Sequence, residues 1–166
     1  MPLLPTVMPR IARIQFANET LAKNILCGVA AGSSGWGDNP PLPSLDVTGL
    51  STTPLAWKRV LDKRYAVPDT NGAFVLPDGS RWTIGGTPSE HLYLRANFEP
   101  TEVSDIAFRE VAFHMSAVTQ AGLPSGQVLY TNDQVTDAGT LLAIQRRPLV
   151  QRNNITREIF ETIVTF

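Results

Sequence analysis

EHLYLRANF, residues 90–98, alternates apolar and polar side chains without interruption. Leu92, Leu94, Ala96 and Phe98 share one side, while His91, Tyr93, Arg95 and Asn97 share the other. A two-residue period is that of a half-buried antiparallel strand. Just upstream stands VLPDGSRWTI, residues 75–84, in which two apolar arms meet at Pro77-Asp78-Gly79. Proline presets φ, aspartate bonds its own backbone and glycine tolerates positive φ, so the segment predicts a hairpin with arms at 73–76 and 81–84. The run Gly85-Gly86-Thr87-Pro88 separates hairpin from strand.

Working outward, the β signal continues in both directions. PLAWKRVLDKRY, residues 54–65, fits a helix through Trp57, Val60 and Leu61, and a strand through Trp57, Arg59 and Leu61. The turn-rich segment after it favours the strand. Downstream, residues 105–115 read as a strand, 117–124 as a break, 126–130 as a short strand and 132–139 as a polar turn. Residues 140–146 form a strand that Pro148 ends. Residues 155–166 are rich in Ile, Thr and Val, which favours β, although Ile155, Ile159 and Ile163 also fit helical spacing. Near the start, residues 11–17 alternate as a strand. Asn18 offers a cap, and 19–31 carry Leu21, Ile25, Leu26 and Val29 at helical spacing, predicting a helix that stops near Gly32. The sequence therefore predicts a mainly β fold of the α+β kind with one N-terminal helix, as an antiparallel β-sandwich or open barrel with long loops. Residues 1–10 are expected to form an extended N-terminal arm, and 11–166 a single β-rich domain interrupted by a Gly/Pro-rich loop at 32–54.

Composition narrows the function. The 166 residues carry 14 basic and 15 acidic side chains, a net charge of −1, and no long basic run. Basic patches such as Lys63-Arg64 and Arg146-Arg147 are short, so nucleic-acid binding is not expected. No apolar run is long enough for a membrane-spanning helix, and MPLLPTVMPR lacks the pattern of a signal peptide. Neither membrane insertion nor secretion is expected, and a cytoplasmic site of synthesis fits. The lone Cys27 rules out an internal disulfide and reads as a small buried side chain on the predicted helix.

Catalytic equipment is missing. His91 and His114 belong to no metal-binding spacing. Glu110 and His114 would share a strand face about 13 Å apart, too far for joint ligation. Gly32-Ser33-Ser34-Gly35 lacks the frame of a nucleophile elbow. Gly35-Trp36-Gly37 and Gly85-Gly86 open no helix with a phosphate-binding lysine. Glu99, Glu102 and Asp105 read as solvated turn acids rather than a glycosidase pair. No catalytic, cofactor or metal residue is assigned.

What remains is the equipment of an assembly part. GSSGWGDNPPLPSLD, residues 32–46, sets Trp36 in a flexible polar loop, where a large aromatic ring usually docks on something, and Pro40-Pro41 stiffens the path beyond it. Arg109 and Glu110 are neighbours on a strand, so one charge must turn inward or toward a partner and find a mate. The chain stops on Thr165-Phe166 with no polar tail, as if its last strand packs into a sheet, its own or a partner's. Trp36, Pro40, Pro41, Arg109, Glu110 and Phe166 are thus the candidate interface.

A family resemblance points the same way. Phe108-Arg109-Glu110-Val111-Ala112-Phe113-His114 resembles the (I/F)RE(L/V)(G/A)(L/F) strand of structural proteins from bacteriophage tails and baseplates. In those proteins a turn, a Gly-x-Leu strand and a final strand follow, matched here by residues 137–144 and 157–166. The opening, residues 11–43, resembles the strand, helix and loop with which such subunits begin, and residues 118–136 are an insertion relative to the compact form. The resemblance implies a non-enzymatic virion part, most simply at the baseplate or a tube–sheath junction. It implies other tail and baseplate proteins as partners, a homo-oligomer around the tail axis, and location in the virion tail. Two further readings stay open: a head–tail connector or tail-terminator ring, and a carbohydrate- or receptor-binding module using Trp57, Trp82 and Tyr93 as an aromatic platform. A hydrolase would need a cluster of acids or a triad that these residues do not suggest.

Overall fold

A computed structural model describes residues 6–166, so half of the expected arm, residues 1–5, lies outside the described residues. Residues 6–9 have no regular structure. The elements in chain order are α1 (Arg10–Ala22), β1 (Ile25–Ala30), β2 (Pro54–Arg59), β3 (Asp62–Pro68), β4 (Phe74–Val75), β5 (Arg81–Gly85) and β6 (His91–Phe98). There follow β7 (Ala107–Met115), β8 (Val118–Thr119), β9 (Leu129–Tyr130), β10 (Val135–Asp137), β11 (Thr140–Gln151) and β12 (Glu158–Thr165). The strands form two five-stranded sheets, β11-β7-β1-β2-β9 and β12-β6-β3-β5-β4, and a small β10-β8 pair. All pairings described within them are antiparallel. The fold is mainly β with one helix, as the alternation predicts.

The chain gathers into two compact units. The first comprises the described residues up to Ala22, Lys63–Leu94 and Ile163–Phe166; the second comprises Lys23–Asp62 and Arg95–Thr162. In the first, α1 buries Ala17 and Thr20, with Arg13, Ile14 and Leu21 half-buried on the same side. Arg13 reaches Glu90 at 2.9 Å, and Phe166 donates its backbone N–H to the Glu90 carbonyl at 3.0 Å. The expected hairpin is present: Phe74 pairs with Trp82 and Val75 with Arg81. Asp78 holds its turn by accepting from Ser80 N and Oγ.

The second unit is built on the first sheet. One core cluster joins Leu26, Trp57, Ala117 and Tyr130, with Leu50, Leu123, Val135 and Ala138 packed around it. A second is aromatic, with Phe160 edge-on to both Phe98 (5.7 Å) and Phe108 (5.6 Å). Arg152, only 2% exposed, lies over Phe98 and donates to the carbonyls of Glu99, Glu102 and Val103. It fixes a turn in which Val103 takes φ 51°, a strained setting for a β-branched residue.

Three expectations are corrected. Residues 11–17 are helix, not strand, and the expected helix at 19–31 gives way to β1 after Ala22. All six residues of β1, ILCGVA, are buried because the strand lies between β7 and β2 with both faces covered. Such a strand shows no alternation, and its apolar run mimics a helical face. Cys27 is buried as expected, but on this strand, and burial drives its thiol pKa far above the ordinary value. Lastly, Pro148 does not end β11. The strand continues to Gln151 through a bulge, with Arg146 opposite Glu110 but Val150 opposite Phe108. A proline with no N–H is tolerated in a bulge on an edge strand. The break at 117–124 and the turn at 132–139 also contribute β8 and β10, two short strands that pair with one another.

Candidate functional site

Residues 31–53 leave the first sheet after β1 and return to it at β2, and most of the candidate residues lie in this loop or beneath it. Gly32 donates to Thr52 Oγ1 at 3.2 Å, closing the loop at its base. Ser33 then caps a 3-10 turn, Ser34–Trp36, accepting from Gly35 N at 3.2 Å. Gly32 has φ +65°, and a Cβ there would stand 2.7 Å from the Trp36 ring and 3.0 Å from Arg109 Cβ. Only glycine permits this close passage of Trp36 and Arg109.

A charge buried beneath the loop holds it in place. Glu110 is fully buried on β7. It accepts from Ser51 N at 2.7 Å, from Ser51 Oγ at 2.6 Å and from Arg146 Nε at 3.1 Å. Arg146 reaches across from β11, where the register sets it opposite Glu110. Its guanidinium lies 4.6 Å from the centre of the Trp36 ring, and Nη1 is 3.5 Å from the carbonyl oxygens of Pro41 and Leu42. A single arginine therefore ties a buried carboxylate, an aromatic ring and the proline-rich backbone together. Charge-assisted bonds in a shielded setting, plus a cation–π contact, are among the stronger ways to fix a loop.

With its backbone so held, the loop projects apolar side chains into solvent. Leu42 is 91% exposed and Leu45 is completely exposed. Between them, Ser44 shapes a turn by accepting from Asp46 N and Val47 N. At the far end Leu50 packs against the Leu26–Trp57 core cluster. Two leucines on a fixed, proline-rich loop form a protrusion that is apolar and already ordered, so a partner need not spend energy ordering it.

The structure thus brings Trp36, Pro41 and Glu110 together through Arg146, with Pro40 adjoining and Arg109 beside Trp36. Phe166 belongs to the other unit, next to Glu90. Among the described residues Arg109 forms no ion pair, and its Nε is buried without a hydrogen-bond partner. Sequence reasoning misses Ser51, Leu42 and Leu45, and takes Arg146 only as half of a short basic pair. PPLPSLD does hold a signal for the leucines, since two large apolar residues in a proline-rich loop have no core to enter. The role of Arg146 follows only from strand register.

The other candidate chemistry resolves into structural contacts. Glu102 accepts from Lys58 Nζ at 2.6 Å and from Glu99 N at 2.9 Å, while Glu99 pairs with Arg157 at 2.9 Å. His114 is buried edge-on to Trp57 at 5.3 Å. Trp57 and Tyr93 are both buried, so neither offers an open ring face of the kind a sugar platform needs. Among the described residues no group of three or more His, Cys, Asp or Glu is placed to hold a metal ion.

Comparison with known families gives a match along almost the whole chain: the family model described as "Baseplate wedge 3 tail fiber network component" aligns with residues 6–166. No curated protein matches the chain.

Proposed function

Since this chain belongs to the baseplate wedge 3 tail fiber network component family, a structural family of the phage tail, we propose that it joins its neighbours in the baseplate through the loop at residues 31–53. Leu42 and Leu45 enter an apolar recess of another baseplate protein, and Arg109 meets an acidic group of that protein at the margin. One observation carries this reading: two solvent-facing leucines stand on a loop whose backbone is fixed by Arg146 and the buried Glu110. The subunit works by shape rather than catalysis, and it forms a network with other tail proteins and with further copies of itself.

The test is incorporation into particles. A phage lacking its own gene is supplied with the Leu42→Asp/Leu45→Asp variant, and virions are assayed for the subunit by quantitative mass spectrometry. Incorporation is expected to fall about tenfold or more, since burying charge at an interface centre is costly. The purified variant should melt at the wild-type temperature, because neither side chain is buried in its own chain. Wild-type incorporation would refute the loop's role. A ring position at the neck, found by labelling the wild-type protein in virions, would instead favour the connector reading.

A further inference from the structure

A second surface of the same unit has the character of a carboxylate-binding cleft. The cavity, of about 380 Å³, is lined by Lys58, Arg59, Asp62, Arg95, Asn97 and Glu99, together with Leu61 and Val128. Three cations and two acids line this one space. Most of these charges are already engaged. Lys58 is bound by Glu102, Arg95 lies 3.7 Å from Glu161, and Glu99 is paired with Arg157. Asp62 is engaged as well. Arg59 differs from the rest: among the described residues it forms no ion pair, and its Nε has no hydrogen-bond partner.

Arg59 is also held ready. Its backbone N–H donates to Val128 O at 2.7 Å, at the edge where β9 meets β2, and its guanidinium lies 5.5 Å from the centre of the Tyr130 ring. Tyr130 is itself buried, and its hydroxyl donates to Gln127 O at 2.6 Å, so the ring is a fixed platform. An arginine stacked on a ring keeps its outer nitrogens free for a planar, two-point acceptor. We propose that this cleft receives an aspartate or glutamate side chain of a neighbouring baseplate protein, with Arg59 as the residue that recognises it. The argument for this occupant is charge complementarity: one uncompensated, pre-oriented guanidinium in a recess large enough for one side chain. The inference rests on the assembly role argued above and adds to it a second contact with a partner of stated chemistry.

Virions assembled with Arg59→Glu, Arg59→Gln and Arg59→Lys in place of the wild-type subunit decide the matter. The charge reversal is expected to lower incorporation about tenfold or more, the neutral variant less, and the lysine variant least, each with purified protein that keeps the wild-type circular-dichroism spectrum at the assembly temperature. Arg59→Lys supplies a further readout, because a carbodiimide joins amines directly to nearby carboxylates. Peptide mapping of treated virions should show the introduced amine joined to an acid of a different protein. Arg59→Glu and Arg59→Gln entering virions at wild-type levels would overturn the proposal. So would coupling of the introduced amine only to Asp62 or Glu99 of its own chain. Absence of the wild-type subunit from virions would instead defeat the assembly role itself, so the two failures are distinguishable.

Discussion

Glu110 illustrates how much one buried charge decides. Its carboxylate is shut away from water, yet three donors converge on it, and one of them, Arg146, also covers the Trp36 ring. Removing one partner of such a set leaves the other uncompensated. Glu110→Ala is therefore expected to destabilise the protein by about 3 kcal/mol in chemical denaturation, and to loosen the Trp36 loop. Glu110→Leu combined with Arg146→Met should recover part of that loss, because replacing both partners by apolar groups of similar size avoids the orphaned charge. His114 provides a second measurement at this scale. Burial against Trp57 pushes its pKa below the ordinary 6.5, and a nearby backbone group of Gly139 opposes this more weakly. The unfolded chain therefore takes up a proton more readily than the folded one. Stability from this residue is complete above pH 6.5 and declines as the pH falls below it. His91 is shifted the same way, first by burial, so its own contribution persists in a His114→Phe protein. That variant should show a flatter stability profile between pH 7 and 5 than the wild type, in urea titrations at several pH values.

At the scale of the element, two positions of β11 and its approach make opposite predictions. Gly139, just before the strand, has φ +75°, and a Cβ there would lie 2.1 Å from Met115 O. Gly139→Ala is expected to cost about 2–4 kcal/mol, read as a lower midpoint in denaturant. Pro148 sits in the bulge of the same edge strand, where no ladder donor is needed, so Pro148→Ala should change stability by less than about 0.5 kcal/mol. These elements also show what can be read in advance. Residues 90–98 and the Pro77-Asp78-Gly79 hairpin are legible because half-burial and turn chemistry leave local marks. β1 is not, since a strand covered on both faces lacks alternation. α1 reads as a strand because Ile14 and Phe16 alternate by chance, while the helical spacing of Arg13, Ala17 and Thr20 is carried by a charge, a small residue and a hydroxyl. Of the site, Trp36, Pro41 and Glu110 are each recognisable alone. The arginine that unites them, 36 residues beyond Glu110 in the chain, emerges only from the pairing of β7 and β11.

For the whole molecule, the two proposed contacts both lie on the second unit, and each is held by bonds within it. A fixed apolar protrusion and a pre-oriented arginine lower the entropy lost on association, which suits a part that must join a large structure in a defined position. Salt should weaken the Arg59 contact more than the leucine contact, because screening acts on the charge and leaves apolar burial intact. Dissociation of isolated baseplates by rising salt should therefore be accelerated by Leu42→Ala/Leu45→Ala and become less salt-dependent with Arg59→Gln. The most direct measurement is a cryo-electron microscopy map of the intact tail at side-chain detail. This chain is expected in the baseplate, with Leu42 and Leu45 buried against a neighbouring protein and the Arg146–Glu110 pair intact. A map in which both leucines still face solvent in the assembled baseplate, or in which the chain is absent from the tail, would contradict that expectation.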